Sequence, residues 1–436
     1  MPTPSLLIVP ARFKSGKLYS QIPTSGAGDF TVTRATNATR VNASGLIESV
    51  ASGVPRLDYY TSGGTAGCPA LLVEPAATNL AWHSHLWVSA NNWVNTAITV
   101  VTGTGGTTDP FGTNLANAIS PTSGSSSHIA QSNSPTTISY TSGTIYTQSA
   151  FFKQGTGVAG RYVQMTFPGT GGAFTQLGYA NFDLQLGTVT VVTGTTADTN
   201  RAASIENYGN GWYRCRFTAT CNATITGLGV AAILITASGS TRAPSFAGTT
   251  TDILYGFGAQ VETGSIATSY IPTTTASATR NADNISLSGA VSGCIGQTEG
   301  TIYAEVDAVN WTNLGRIFVV SDGTTSNAIS ILFNTSSRFR LIIDTGGGSA
   351  QADISSSSLN NGVHKIAVAY ANNDIAFFVD GVLVGTDTSA TIPACSQIFL
   401  GKIGTSSSTN FMNDRIRAVA LYTSRLTNDQ LQALTT

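Results

Sequence analysis

The chain has 436 residues, of which 41% are hydrophobic and 10% are charged, and its formal net charge is −1. At roughly 150 residues per domain, this length predicts about two to four domains with enough apolar material for their cores. The absence of clustered Lys and Arg excludes the electrostatic footprint of a nucleic-acid-binding protein, and no apolar run reaches the roughly 18 residues that a membrane helix needs.

Thr, Ser and Asn, together with 46 Gly, replace the charged residues that an average domain carries. Thr and Val favour strands, whereas Gly, Asn and Ser favour turns, so this composition predicts an all-β protein. The cysteines are five in number and scattered, without a C-x-x-C pair. They therefore indicate neither a zinc site nor a disulfide framework.

Residues 1–80 alternate short apolar pieces with turn clusters and form the first predicted unit. Apolar residues 1–10 precede Arg12, Lys14 and Lys17, the wrong order for a signal peptide, so no signal peptide is expected. A string of segments resembles the amino-terminal region of phage tail and head-fibre proteins, namely 13–20, 28–34, 38–42, 45–48, 54–59, 68–75 and 78–80. The resemblance implies a region for virion attachment and oligomerisation that obtains its core from partner chains. A small independent domain is the alternative.

Residues 81–272 are predicted to form an antiparallel β-sandwich, because short apolar runs alternate with turns rich in Gly, Thr and Ser. The predicted strands are residues 97–101, 145–153, 162–167, 179–184, 188–192, 203–206, 211–219, 226–235 and 252–261. Two of them, 150–153 (AFFK) and 211–217 (GWYRCRF), resemble strands of jelly-roll carbohydrate-binding modules.

Such modules bind glycans on a concave sheet, where exposed aromatic rings stack on the C–H faces of sugars. The glycan-binding candidates in this unit are Trp93, Tyr162, Tyr179 and Trp212. Packing in the core or against a hairpin is the alternative role for each of these rings.

Residues 252–283 close this unit and lead out of it. The apolar alternation of the last strand ends at a turn, and residues 273–285 contain little to bury, so they are predicted to be a linker. A sequence motif that ends carbohydrate-binding-like sandwiches in tailed-phage structural proteins resembles three segments here, 259–264 (AQVETG), 267–273 (ATSYIPT) and 279–283 (TRNAD). The resemblance is to virion fibre, spike or decoration proteins and implies no particular chemistry.

Residues 286–436 are predicted to form a second β-sandwich, with strands at 300–309, 316–321, 328–333, 338–344, 363–371, 374–379, 382–386, 397–402 and 413–421. Asp380 and Gly381 suit the tight primed turn of a hairpin, and Thr427 with Gln430 forms the capping box of a short final helix. The hairpin VDGVLVG and the ending LYTSRLTNDQL resemble concanavalin A-like, laminin G-type domains. These domains mostly bind glycans or proteins, and some hold calcium at the sheet rim.

Few residues suggest a metal or a catalytic role, so no cofactor is expected. Asp322, followed by Gly323, is a weak candidate for a calcium ligand, with a plain turn as the alternative. Glu305 and Asp307 share one face of a predicted strand and are the acid pair to test for glycoside hydrolysis, for which solvent-facing carboxylates are the alternative. We expect no enzyme.

Together these observations predict a structural protein of a tailed-phage virion, with a loop-rich anchoring region followed by a jelly-roll-like and a laminin G-like sandwich. It would form an exterior appendage (a tail or head fibre, spike or decoration), contact capsid, portal or tail proteins, and adhere as a homotrimer to host-surface glycans. It would be assembled in the host cytoplasm and lie on the virion exterior. The alternatives are a decoration without receptor binding, a surface-polysaccharide depolymerase and a secreted lectin of cellular origin.

Overall fold

The computed structural model describes the chain apart from residues 104–106, 133–137, 168–173, 175–177, 195–199, 228, 289–292, 348 and 405–409. Strands make up 48% of the chain and helix 3%, which confirms the predicted all-β class. Most described strands belong to two antiparallel β-sandwiches. Among the described residues, no helix is long and apolar enough to cross a membrane.

The first eighty residues form only short strands. These are β1 (Leu6–Ile8), β2 (Phe13–Lys14), β3 (Lys17–Leu18), β4 (Phe30–Thr33), β5 (Ala38–Val41), β6 (Ile47–Val50), β7 (Leu57–Asp58), β8 (Ala70–Val73) and β9 (Ala77–Asn79). Strands β5 and β6 pair with each other as a hairpin, whereas β1 to β4, β7 and β8 enter larger sheets.

The middle of the chain forms the first sandwich, which is preceded by a 3-10 turn at Ser89–Asn91. Its strands are β10 (Trp93–Thr96), β11 (Ile98–Thr102), β12 (Asn117–Pro121), β13 (Ser125–Ser126), β14 (His128–Ser132), β15 (Ile138–Tyr140), β16 (Ile145–Gln154), β17 (Tyr162–Thr166), β18 (Tyr179–Asp183), β19 (Thr188–Thr193), β20 (Ala202–Asn207), β21 (Trp212–Thr220), β22 (Ile225–Gly227), β23 (Ala231–Ile235), β24 (Phe246–Ala247) and β25 (Leu254–Thr263). Sheet I has the order β10-β14-β23-β17-β18-β19, and sheet II has the order β11-β12-β25-β16-β21-β20.

Strand β16 shows why this sandwich forms, because its apolar residues point to both faces of sheet II. Phe152 enters the core between the two sheets, where it packs with residues such as Val163 and Phe217. Phe151 points to the opposite face, and its ring centroid lies 6.0 Å from that of Tyr270. Burying each of these side chains contributes roughly 1.5–3 kcal/mol, so a strand with adjacent Phe residues is stabilised by cover on both faces.

The end of the chain supplies most of the second sandwich. Its elements are β26 (Ala278–Arg280), β27 (Asn284–Leu287), β28 (Glu299–Ala308), β29 (Arg316–Ser321), β30 (Ala328–Asn334), β31 (Arg338–Thr345), β32 (Ser349–Ser355), β33 (Gly362–Ala371), β34 (Asp374–Val379), β35 (Val382–Asp387), β36 (Gln397–Leu400), β37 (Asp414–Tyr422) and the helix α1 (Asn428–Thr435). Sheet III has the order β35-β34-β33-β28-β37-β8-β7, with β1 also paired to β37. Sheet IV has the order β2-β3-β4-β27-β36-β29-β30-β31-β32.

Strands from the first eighty residues therefore complete the second sandwich. Strand β8 pairs with β37, and all four of its residues are buried. Leu6, Phe30 and Leu71 lie in the same core cluster as Val419 and Leu421. The expectation that this segment takes its core from partner chains is thus wrong, because its apolar residues already pack against the end of their own chain. Its use in virion attachment stays a prediction.

The segment predicted to be a linker is packed rather than extended in solvent. Strand β26 pairs with β9, and strand β27 pairs with β4 and β36. Arg280 and Asp283 are each 1% exposed. Burial alone would raise the pKa of Glu74, but the charges of Arg280 and Arg56 outweigh it and lower that pKa. These buried ion pairs attach the connection to the first eighty residues.

Two local predictions at the end of the chain are confirmed. Asp380 and Gly381 have φ values of 48° and 76°, as the primed turn between β34 and β35 requires. Thr427 accepts a hydrogen bond from the backbone N–H of Gln430, whose side chain accepts one from the N–H of Thr427, which completes the capping box of α1. Leu431 on this helix is fully buried against sheet III.

Candidate functional site

An open cleft of about 410 Å³ lies between the two sandwiches, and we call it the inter-sandwich cleft. One side is formed by β20, the edge strand of sheet II, with residues of its neighbour β21. The other side is formed by the end of β28 and the start of β33 in sheet III. Its polar and charged lining includes Ser62, Glu206, Arg216, Asp307, Asn310 and Asn361.

Arg216 links the two sides of the cleft. Its Nη2 donates to Oε2 of Glu206 at 2.6 Å, and its Nη1 lies 3.5 Å from Oδ1 of Asn310 on the opposite side. Burial alone would lower the pKa of the Arg216 guanidinium, but the neighbouring acidic groups, chiefly Glu206, together have the larger effect, and the pKa is raised. Arg216 therefore remains a cation whose main partner is Glu206.

Asp307 presents a carboxylate that is only loosely paired. Its Oδ2 lies 3.6 Å from Nη2 of Arg417, beyond hydrogen-bond distance, and 14% of its side chain is exposed. The register between β28 and β37 shifts at this point, so Arg417 is the extra residue of a β-bulge. Bulges change the direction of a side chain, and this one leaves Arg417 beside Asp307. The carboxylate can therefore accept hydrogen bonds from a ligand.

Asp414 supports the loop that carries Asn310. This carboxyl is fully buried, and its Oδ2 accepts hydrogen bonds from the backbone N–H groups of Val309 at 2.8 Å and Asn310 at 2.7 Å. The side-chain amide of Asn310 also donates to the carbonyl of Asn413 at 2.7 Å. Burial raises the pKa of Asp414 to about 7. These bonds fix one wall of the cleft.

Tyr60 is the aromatic residue in the described lining of the cleft. Its ring centroid lies 4.9 Å from that of Tyr208, and the guanidinium carbon of Arg415 lies 4.8 Å from it. Arg415 is itself held by Asp58, whose Oδ1 accepts from its Nε at 2.8 Å. Because Tyr60 is only 9% exposed, the cleft offers a ligand hydrogen-bonding groups more than an open stacking surface.

None of the four aromatic candidates from the sequence lines this cleft. Trp93 is 3% exposed and stacks on Trp87 at a centroid distance of 4.7 Å. Trp212 is 1% exposed, and its indole N–H donates to the carbonyl of Thr108 at 2.9 Å. Both of these rings therefore have packing roles in this structure.

Tyr162 and Tyr179 are half-buried and lie on adjacent strands of sheet I. In the antiparallel register Tyr162 pairs with Asp183 and Tyr179 pairs with Thr166, so the two rings stand at opposite ends of this strand pair. The guanidinium of Arg161 covers the ring of Tyr162 at 4.8 Å from its centroid. Sugar binding by these two tyrosines stays a prediction.

Asp322 lies in an exposed turn after β29. Its Oδ1 accepts hydrogen bonds from the backbone and hydroxyl of Thr324 at 2.8 and 2.6 Å, and its Oδ2 accepts from Nδ2 of Asn327 at 2.8 Å. The carboxylate thus closes the turn. In the described part of the chain, no group of three or more His, Cys, Asp and Glu side chains is arranged to hold a metal ion.

Of the acid pair that the sequence singled out, Asp307 lines the cleft and Glu305 does not. The hydroxyl of Tyr303 donates to Oε2 of Glu305 at 3.2 Å. The sequence did not single out Arg216, Asn310 or Asn361 as site residues. The signals available for them were the alternation in 211–217, which places Arg214 and Arg216 on one face, and the polar run around residue 310.

The chain matches one described class of domain over part of its length. A laminin G family model described as the concanavalin A-like lectin/glucanases superfamily matches residues 258–432. The carboxy-terminal sandwich is therefore a concanavalin A-like domain, as predicted. No curated protein matches the chain.

Three solved structures resemble part of the chain at low sequence identity. The carbohydrate-binding module CBM40 of the Ruminococcus gnavus IT-sialidase, bound to α2,3-sialyllactose, is 17% identical with a TM-score of 0.29, over 32% of this chain and 84% of that one. Domain 4 of a GH43 extracellular arabinanase from Geobacillus stearothermophilus, in complex with arabinotriose, is 14% identical with a TM-score of 0.29, over 39% and 82%. The heptameric SAP-like pentraxin of Limulus polyphemus is 15% identical with a TM-score of 0.26, over 32% and 70%. These similarities are too weak to transfer a ligand to this chain.

Proposed function

We propose that this protein binds glycans in the inter-sandwich cleft. The observation that carries the proposal is the convergence of a carboxylate, amides and a guanidinium on one open cleft of about 410 Å³. Pockets of roughly 300–1,000 Å³ with a few placed polar groups are typical of small-ligand sites, and the volume of this cleft falls in that range. The match to a superfamily that includes lectins supports a glycan as the ligand.

Carbohydrate hydroxyls suit the groups in this cleft. Each hydroxyl both donates and accepts a hydrogen bond, so it can bind a carboxylate such as Asp307 and a donor such as Asn361. The pair Glu206–Arg216 adds a charged hydrogen-bonding edge on the opposite side. A site of this kind is weak by itself and gains strength when several copies bind together.

In the organism, the proposed role is that of an exterior appendage of a tailed-phage virion. This proposal is supported by the segments 259–264, 267–273 and 279–283, which resemble segments of virion fibre, spike and decoration proteins. Its proposed partners are other virion proteins and the host-surface glycan, its proposed state is a homotrimer, and its proposed location is the virion exterior. Three clefts per trimer would strengthen attachment to a repeated polysaccharide.

The first test is a glycan array followed by calorimetric titration of the strongest hits. Ser204 is an exposed residue of β20 that lines the cleft, so Ser204→Trp fills it and is expected to abolish binding. Thr188→Trp is the matched control, because Thr188 is an exposed strand residue of sheet I outside the cleft. Equal binding by both variants would reject the cleft as the site.

A second test addresses the role on the virion. The labelled protein is imaged on host cells, and its mass in solution is measured on the same sample. Binding by a trimer that host polysaccharide competes away supports receptor engagement. A well-folded oligomer that binds no cell and no glycan would instead favour a purely structural decoration. Release of new reducing ends from the polysaccharide would favour the depolymerase.

A further inference from the structure

Asp307 and Asn361 both line the side of the inter-sandwich cleft that sheet III forms. Strands β28 and β33 are paired up to Ala308 and Gly362, and Asp307 is opposite Val363. Asn361 is the residue immediately before the first paired residue of β33. A ligand on this side therefore meets a carboxylate and an amide from neighbouring strands.

Trp311 determines which way the amide of Asn361 points. The indole N–H of Trp311 donates to Oδ1 of Asn361 at 2.8 Å. An indole nitrogen is only a donor, so the oxygen of the amide must face Trp311. Among the described residues, Nδ2 of Asn361 has no hydrogen-bond acceptor, which leaves its two N–H groups for a ligand.

Trp311 itself is held in place by packing. Its ring centroid lies 5.3 Å from that of Phe333, 5.0 Å from that of Phe339 and 5.9 Å from that of His364. Its φ of 37° is unusual for a bulky residue, and such conformations persist where the surrounding structure enforces them. The donor presented by Asn361 is thus oriented before a ligand arrives.

Asp307 supplies the complementary acceptor. Within the described chain its carboxylate makes no hydrogen bond, and its ion pair with Arg417 is 3.6 Å long. Two adjacent hydroxyls on a sugar ring fit a fixed donor next to a free acceptor, because one hydroxyl donates to the carboxylate while its neighbour accepts from the amide. An apolar ligand would leave both groups unsatisfied.

The described lining of the cleft offers an acidic ligand no unpaired cation. The described lining holds two carboxylates, Glu206 and Asp307, and one cation, Arg216, which is already bonded to Glu206 at 2.6 Å. A carboxylate or sulfate on a sugar would therefore approach Asp307 without a free cation in the lining to balance it. The negative charge of such a ligand and that of Asp307 would repel each other, most strongly where water is excluded.

We propose that Asp307 and Asn361, the latter positioned by Trp311, select a neutral glycan unit with adjacent free hydroxyls. This inference rests on the proposed glycan-binding function and specifies its ligand class. Asp307 and Asn361 are specificity-determining residues that contact the ligand, whereas Trp311 acts through Asn361.

The test uses the full chain and pairs of array glycans that differ only in one sialic acid or sulfate. The neutral member of each pair is expected to bind at least tenfold more tightly. Asp307→Asn and Asn361→Ala are each expected to weaken binding of the neutral hits at least tenfold, and Asp307→Asn is expected to reduce the discrimination against acidic members. Thermal unfolding verifies that each variant is folded.

A double-mutant cycle tests the positioning role. Trp311→Phe keeps an aromatic ring but removes the indole N–H, and its effect on affinity is expected to disappear in the Asn361→Ala background. A structural role alone would give additive effects in the two backgrounds and would overturn this part of the inference.

The outcomes separate the inference from the function on which it rests. If Ser204→Trp abolishes binding while Asp307→Asn and Asn361→Ala change affinity less than twofold, the cleft binds glycan and the assignment of these two residues fails. Preference for the acidic member of the pairs overturns the inference in the same way. If no glycan binds, the proposed function is rejected. If Ser204→Trp binds normally, the cleft is rejected as the binding site.

Discussion

The guanidinium of Arg34 donates a hydrogen bond of 2.9 Å to Oδ1 of Asp283, which lies 249 residues further along the chain. The side chains of Arg34 and Asp283 are 0% and 2% exposed. Asp283 also pairs with Arg56 and accepts from the backbone N–H of Glu74. One carboxylate therefore connects the first eighty residues to the segment between the sandwiches.

We expect Asp283→Asn to destabilise the protein by about 3–5 kcal/mol, because it removes a charge that pairs with the buried guanidinium groups of Arg34, Arg56 and Arg280. Urea unfolding at neutral pH measures this change. Asp374→Asn is the matched control, since Asp374 pairs with Arg425 at 2.8 Å but is 57% exposed. Exposed pairs contribute about 0–1 kcal/mol, so a similar loss in both variants would contradict the role of the buried cluster.

The first eighty residues are expected to be necessary for the second sandwich to fold. Leu71 on β8 is fully buried, so Leu71→Ala should cost about 2–5 kcal/mol. Val9→Ala is the control, because Val9 is 42% exposed and its truncation should change stability by no more than about 0.5 kcal/mol.

Removing residues 1–80 altogether extends this test. The remaining chain loses the strands that pair with β37 and β27, so its second sandwich is expected to lose its cooperative transition. The first sandwich, whose core lies within residues 81–261, is expected to keep a transition of its own. Circular dichroism and calorimetry measure this directly. A second cooperative transition, from the second sandwich at an unchanged temperature, would show that the segment is a separable attachment region.

The capping box of α1 makes a smaller contribution. Thr427→Ala removes the acceptor for the backbone N–H of Gln430 and is expected to cost about 0.5–2 kcal/mol. Ser424→Ala, an exposed change just before the helix, is the control. Thermal unfolding of the two variants compares them, and equal melting temperatures would mean that packing of Leu431 alone holds the helix.

Local structure was largely predictable from the sequence. The strands Arg316–Ser321 and Asp374–Val379 have the predicted bounds, because each is a continuous apolar run between turn residues. The turn at Asp380 follows from the residue types that tolerate positive φ. Signals of this kind act over a few neighbouring residues, so a single sequence carries them.

Long-range pairing was not predictable in the same way. Nothing in residues 70–73 indicates that they pair with β37, more than 300 residues away, because a buried apolar strand can pair with many others. The cleft depends on how two sandwiches meet, so Arg216 and Asn310 become neighbours only through tertiary structure. Trp93 and Trp212 appeared suitable for sugar stacking, but an aromatic residue on a strand gives no signal that tells exposure from burial.

The buried carboxyl behind the cleft is expected to make stability depend on pH. Asp414 has an ordinary pKa of 3.8, which applies to the unfolded chain, whereas burial raises its pKa to about 7 in the folded protein. Between these values the folded state binds more protons than the unfolded state, so this group's contribution to stability falls as the pH rises from about 4 to 7 and stays constant above. A pKa shift of this size changes the free energy of unfolding by at most about 4 kcal/mol.

Asp414→Asn should abolish this component, because the amide oxygen still accepts from Val309 and Asn310 but carries no charge. We therefore expect the variant to gain stability relative to the unmodified protein as the pH rises from about 5 to 8, measured by urea unfolding at each pH. Asp353→Asn is the control with the opposite sign, since Arg340 lowers the pKa of Asp353 at the surface. The carboxylate of Asp353 stabilises the folded protein above its unfolded pKa, and this contribution is lost as the pH falls. Because the pair with Arg340 is at the surface, the contribution is under about 1 kcal/mol. Parallel pH profiles for Asp414→Asn and the unmodified protein would show that this carboxyl is ionised in the fold.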